Sequence, residues 1–165
     1  MSKNLEDQLE DYIIKNKELF YRLAYSYVRN IDDALDVVQE SIYKAFLSID
    51  SLKDFSYLKT WFYRIIVNVS LDFLRKRKRE TVTDEEFLLS NDTGTLDHYT
   101  DIDLKKALED LPEKYRSIIV LRFFEDLKLE EIAEILDENT NTIKTRLYKA
   151  LEILRISMDD EDKED

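Results

Sequence analysis

The chain has 165 residues, a formal net charge of −12, no cysteine, and a single glycine and proline among 44% hydrophobic residues. That apolar content suffices for a core, which excludes a wholly disordered chain, and the missing cysteines exclude disulfide and thiolate chemistry. The polar start Met1-Ser-Lys-Asn-Leu-Glu-Asp7 is no secretory leader, and every apolar run falls far short of the ~20 residues that cross a bilayer, so a cytoplasmic chain without membrane insertion is expected.

Residues 1–79 read as a helical domain. Ile13, Leu19, Phe20, Leu23, Ala24, Tyr27 and Val28 recur at helical spacing, and so do Ala34, Val37, Val38, Ile42, Ala45 and Phe46. A third stripe comprises Leu58, Trp61, Phe62, Ile65, Ile66, Val69 and Phe73. Breaks fall at Arg29-Asn30 and across Ser48–Ser56, with Asn30 or Asp32 available to cap the second helix. The third helix ends in the basic run Arg75-Lys-Arg-Lys-Arg79, which complements the negative end of its dipole.

Residues 80–101 contain seven acidic residues, no Lys or Arg, and the lone glycine, Gly94, which together predict a flexible acidic linker. Residues 102–158 return to helical periodicity through Ile102, Leu104, Ala107 and Leu108. A helix is expected from Pro112 through Phe124, with proline tolerated in the first turn. Next come Leu129–Leu136, a short turn, and Thr140–Leu151, with Asn139 placed to cap the last helix. Residues 159–165 form an acidic tail with six acids. Linker and tail between them carry the whole negative excess, so both helical segments are close to neutral. The expected fold is all-α: two small helical domains joined by a flexible acidic linker.

The final helix pair has the form of a helix-turn-helix, whose second helix enters the DNA major groove. Thr140, Asn141 and Thr142 lie at its tip, and Lys144, Thr145, Arg146, Tyr148 and Lys149 point away from its apolar stripe. Residues at the tip reach base edges, and the more distal cations find phosphate. In the N-terminal segment, Lys59, Thr60, Tyr63, Arg64, Asn68 and Arg75 are expected on the outer face of the third helix, followed by Lys76. Phe55, Ser56 and Tyr57 lie just upstream, where an unstacked base finds aromatic and polar contacts.

Asp32, Asp36 and Glu40 share a helical face beside Asp33. With no His or Cys nearby, this group reads as a protein-binding or solvated face rather than a metal site. The one histidine, His98, lies in the acidic linker, and no phosphate-cradling glycine loop or nucleophile–histidine set is present. Neither a catalytic role nor a cofactor is expected. Two binding functions remain open on these residues: a promoter-recognition factor that works with a polymerase, and a stand-alone helix-turn-helix regulator.

Three motifs in order favour the first. Asp33-Ala-Leu-Asp-Val-Val-Gln-Glu40, then Leu58-Lys-Thr-Trp-Phe-Tyr-Arg-Ile-Ile-Val-Asn68 with Asp72-Phe-Leu-Arg-Lys-Arg77, and then Leu121-Arg-Phe-Phe-Glu-Asp-Leu-Lys-Leu-Glu-Glu-Ile-Ala133 with Thr142-Ile-Lys-Thr-Arg-Leu-Tyr-Lys-Ala150 resemble bacterial extracytoplasmic-function (ECF) sigma factors reduced to regions 2 and 4. The resemblance implies that Asp33, Asp36, Gln39 and Glu40 dock on the coiled coil of the β′ subunit of core RNA polymerase. It implies that Phe55, Ser56, Tyr57, Lys59, Tyr63, Arg64, Asn68, Arg75 and Lys76 melt and read the minus-ten promoter element. The helix from Thr140 would read the minus-thirty-five element, its domain resting on the β flap. An anti-sigma factor, typically membrane-anchored, is implied as a further partner. This chain departs from the family at Asp137 and Asn141, where glycine is usual. Asp and Asn tolerate left-handed backbone, while a side chain at Asn141 bears on base preference.

Overall fold

The computed structural model describes residues 4–81 and 106–162. Nearly all of the acidic linker and the end of the tail therefore lie outside the described residues. The described elements are helical: α1 (Leu5–Val28), α2 (Ile31–Ser48), α3 (Leu58–Thr81), α4 (Glu113–Ile119), α5 (Leu129–Leu136) and α6 (Thr140–Asp162), with a helical turn at 106–110 and short 3-10 turns at Ile49–Ser51 and Phe55–Tyr57.

The helix boundaries follow from capping chemistry. The Asn4 and Asn30 side chains accept hydrogen bonds from the Asp7 and Asp33 backbone N–H groups at 2.7 and 3.0 Å, and Asn139 does the same for Thr142 at 2.7 Å. Helix ends that commonly use glycine are here closed by other residues. Arg29 and Asp137 take left-handed backbone at φ 57° and 56°, and Asp126 does so at φ 55° in the turn before α5.

α1, α2 and α3 pack on one another, and the buried ridge of α2 explains how closely. It consists of Ala34, Val37, Val38, Ser41 and Ala45, all small. Ser41 avoids an unpaired hydroxyl by donating to the Val37 carbonyl at 2.7 Å. Between α1 and α3 lies an aromatic cluster, in which the Phe20 ring sits 4.5 Å from Phe62, 5.5 Å from Tyr12 and 5.8 Å from Tyr63. Arg77, near the end of α3, fastens all three helices. It donates to the Val28 carbonyl at 2.8 Å, pairs with Asp33, and lies over the Phe73 ring.

The C-terminal helices form a second group, with α6 packed on α4 and α5. Here one expected element changes form. The helix predicted from Pro112 through Phe124 is α-helical only to Ile119 and continues as a π-helical turn, Val120–Phe124. The Glu125 N–H closes that wider turn on the Val120 carbonyl at 3.0 Å. α6 also runs to Asp162, into the stretch read as an acidic tail, since extending an existing helix costs far less than starting one.

The two groups are not apart. α5 packs on α3, α4 and the π turn pack on α1, and the buried apolar residues of both groups form one continuous cluster. Phe62 is fully buried, whereas Trp61 is only partly so. Phe62→Ala is expected to destabilise the chain by about 3–5 kcal/mol in urea unfolding, and Trp61→Ala by clearly less.

Candidate nucleic-acid interface

The residues expected to meet the minus-ten element start at the turn Phe55–Tyr57. Its shape is held by Asp54, whose carboxylate accepts from the Ser56 N–H at 3.0 Å and is kept below the usual carboxylate range by that bond. Ser56 and Tyr57 are exposed and Phe55 is half-buried. Along α3, Lys59, Arg64, Asn68, Arg75 and Lys76 are exposed, with Arg64, Asn68 and Arg75 on one helical face. Arg75 pairs with Asp72 at 3.1 Å. A shallow groove between α2 and α3 brings Glu40 and Lys44 opposite Arg75, Lys76 and Arg79, so the acidic face of α2 adjoins the basic end of α3.

Two residues expected on that outer face are elsewhere. Tyr63 is 1% exposed and Thr60 is 8% exposed. With Val67 they make a second buried edge of α3 at i, i+3, i+7 spacing, beside the one that faces α1 and α2. An amphipathic helix with a single apolar stripe was the expectation; α3 is covered on two sides because α5 packs on it.

On α6, the helix expected to read DNA, Thr140, Asn141, Lys144, Thr145, Tyr148 and Lys149 are exposed, and Ile143, Leu147 and Ala150 are buried. Thr142 is half-buried at the cap, and Arg146 is half-buried and paired with Glu138 at 3.3 Å. The turn survives the exchange of glycine for Asp137: its N–H and that of Glu138 return to the carbonyls of Glu134 and Ala133 at 3.4 and 2.9 Å.

On α2, Asp36, Gln39 and Glu40 are exposed, while Asp33 is half-buried in its pair with Arg77. A carboxylate tied down within the chain has little left to offer a partner, so Asp33 differs in kind from its three neighbours. The acidic face is also flanked by apolar residues that charge alone did not mark. Ile31, Leu35, Tyr43 and Leu47 are exposed at four- and eight-residue intervals, a spacing visible in the sequence once the inward face of α2 is known. Solvent-facing apolar residues in a row indicate a surface that a partner covers.

The least expected feature lies where the two helical groups meet. Glu125, directly after the π turn, is 4% exposed. Its carboxylate accepts from the Tyr63 hydroxyl at 2.9 Å and from Arg22 Nε at 3.3 Å. Arg22 reaches further, donating to the Phe124 carbonyl at 2.5 Å and lying over the Phe124 ring. Burial raises the Glu125 pKa, outweighing the lowering pull of Tyr63 and Arg22. Burial, and then the charge on Glu125, pushes the Tyr63 and Tyr12 hydroxyls upward as well. A second junction forms at Arg116, whose Nε donates to the Ser26 carbonyl at 2.6 Å while Nη1 donates to the Leu111 carbonyl at 2.9 Å. Beside it the Tyr27 hydroxyl bonds Ser117, and Arg29 pairs with Glu109 at 3.6 Å. Among the described residues no His, Cys, Asp and Glu group is arranged to hold a metal ion, and no helix is long and apolar enough to cross a membrane.

Residues 13–80 match the family of sigma-70 region 2, and residues 101–154 match sigma-70 region 4. The RNA polymerase sigma factor SigV of Bacillus subtilis (strain 168) is 56% identical over 150 residues, which cover 91% of this chain and 90% of that protein. The ECF RNA polymerase sigma factor SigW of the same organism is 30% identical, over 97% of this chain and 94% of its own length. Among solved structures, the sigma factor RpoE in complex with the anti-sigma factor NepR from Bartonella quintana superposes with a TM-score of 0.79, at 26% identity and over 92% of this chain and 97% of that one. The structure of CnrH with the cytosolic domain of CnrY shares the fold, with a TM-score of 0.68 at 19% identity over 93% of this chain and 89% of that one. The chain therefore belongs to the ECF group of the sigma-70 family. It is a transcription initiation factor that directs RNA polymerase to promoters.

Because the folded pKa of Glu125 is raised, its buried carboxyl favours the folded chain when protonated, and that contribution is lost as pH rises through the raised value. In thermal melts, the Tm of wild type relative to Glu125→Gln should rise as the pH is lowered toward the ordinary carboxylate range. A difference that stays flat with pH would count against this placement of Glu125.

Proposed function

We propose a division of labour among three surfaces of this sigma factor. The outer face of α2, with Asp36, Gln39 and Glu40 beside Leu35, docks on the β′ coiled coil of core RNA polymerase. The turn Phe55–Tyr57 and the exposed side of α3, with Lys59, Arg64, Asn68, Arg75 and Lys76, bind the minus-ten element as it opens. Tyr63 joins them only once its side of α3 is uncovered. Thr140, Asn141, Thr142, Lys144, Thr145, Arg146, Tyr148 and Lys149 on α6 bind the minus-thirty-five element. The domains that carry these surfaces are residues 1–79 and 102–158, joined by residues 80–101.

The observation that carries this reading is the exposure of two helices, α3 and α6, that present amides, hydroxyls and cations while their apolar stripes are buried. Amide and guanidinium groups suit base edges, at roughly 1–3 kcal/mol of discrimination for each good bidentate contact. An extruded base costs a few kcal/mol of stacking, offset by contacts at a turn such as Phe55–Tyr57. Neither half carries a strong positive charge, so each binds DNA weakly alone. Tethering two weak sites on one polymerase raises the effective concentration of the second. Because the RpoE structure holds an anti-sigma factor, we assign such an inhibitor to this cytoplasmic chain also, its membrane anchoring resting on the family resemblance alone, and the apolar row on α2 suits it as well as polymerase.

Asp36→Lys combined with Glu40→Lys is expected to weaken binding to core polymerase at least tenfold in a pull-down or titration, with helix content unchanged, since both side chains face solvent. Wild-type affinity in that double variant would remove α2 from the docking surface. Tight, sequence-specific duplex binding by the wild-type chain without polymerase would favour a stand-alone regulator instead.

A further inference from the structure

The contacts between the two helical groups have a geometric consequence for promoter binding. α5 packs on α3 and also on α6. Packed helices lie 8–10 Å apart, so the two reading helices pass within about 20 Å of each other. The minus-ten and minus-thirty-five elements are some twenty-five base pairs apart, about 85 Å at 3.4 Å per pair. α6, with 23 residues, is about 35 Å long at 1.5 Å per residue and cannot bridge the difference. In this arrangement the chain reaches one element or the other, never both. The same packing takes Thr60 and Tyr63 out of the reach of DNA.

We propose that the free chain is self-closed, and that the buried Glu125 carboxylate, held by Arg22 of α1 and Tyr63 of α3, is the latch. The inference rests on the sigma-factor reading of α3 and α6 and assigns to three named side chains the contact that holds the two groups shut. The latch is polar and paired, so on opening water replaces each contact of its charged groups, and the apolar residues shared by the two groups are what polymerase must compensate. It is also selective. Arg22 is 45% exposed at its side chain, whereas the Glu125 side chain is fully enclosed. Taking Arg22 away therefore leaves a carboxylate buried without its cation, and a charge in that position is strongly disfavoured. In solution alkaline enough to keep the carboxyl ionised, the chain escapes that state by opening, since Glu125 lies where the two groups meet.

The chain has no cysteine, so a dye pair on the exposed positions Lys17→Cys and Glu134→Cys reports the distance between the two groups in the full-length protein. Energy transfer should be high in the free wild type and fall when core polymerase is added. Arg22→Ala should lower it without polymerase and, if the open form is a tenth of the wild-type population, tighten polymerase binding about tenfold. Arg22→Ala with Glu125→Gln should return transfer toward the wild-type value, because the neutral amide keeps a bond to Tyr63 without a stranded charge. Low transfer in the free wild type, unchanged transfer in Arg22→Ala, or no recovery in the double variant would each overturn the latch. Promoter-specific transcription by the wild type with core polymerase is read separately. Its absence would refute the sigma-factor surfaces while leaving the energy-transfer result standing.

Discussion

One buried carboxylate organises the meeting of the two halves. Glu125 brings a residue of the C-terminal group against α1 and α3 at once, because Arg22 and Tyr63 both reach it. Enclosing a charge is unfavourable unless its oxygens find donors, and here the two oxygens have different donors from different helices. That requirement constrains the neighbourhood. It fixes the rotamer of Tyr63, turns the hydroxyl of that side chain away from solvent, and positions Phe124 under the Arg22 guanidinium. The apolar cluster contributes most of the burial, but apolar contacts alone are tolerant of sliding. Directional bonds to one carboxylate, with the Arg116 bond to the Ser26 carbonyl, set how the groups are rotated relative to each other.

The legible part of the chain was what repeats locally. Apolar residues every three or four positions marked α1, α2, α3, α5 and α6, and short polar side chains marked Asn30 and Asn139 as caps, since a cap acts within four residues. The outward side of α6 from Thr140 to Lys149 was legible for the same reason: its core side is unambiguous. Tyr63 was not. A tyrosine on the rim of an apolar stripe is equally consistent with a DNA face and a second packing face, and only the partner at sequence distance 62 decides between them. The pairing of Asp33 was hidden in a similar way. As one of four acids on α2 it looked equivalent to the rest, until the end of α3 folded back and brought Arg77 to it.

Sequence periodicity also gave no sign of the π turn. Apolar positions at Val120 and Leu121 suit an α-helix as well as a wider one, and the difference lies in which carbonyl the Glu125 N–H selects. The exposed row Ile31, Leu35, Tyr43 and Leu47 was hidden for a simpler reason. An apolar residue on a helix is ordinarily assigned inward, and α2 has apolar residues on both its inner and outer faces. With the folded parts near neutrality, shape, hydrogen bonding and apolar area weigh more at such a surface than long-range attraction.

The π turn gives α4 one residue more than an α-helical path would need between Val120 and Glu125. Such a turn behaves as a stored insertion. Excising a single residue from Val120–Phe124 lets the segment relax to ordinary winding while the side chains on either side keep their faces, because the wide turn had absorbed the extra residue. Within the turn itself, where Phe124 lies under the Arg22 guanidinium, the remaining side chains would take new directions although the composition of the chain barely changed. The register of this one turn is thus a lever by which small edits to length, rather than to chemistry, re-aim the junction between the halves.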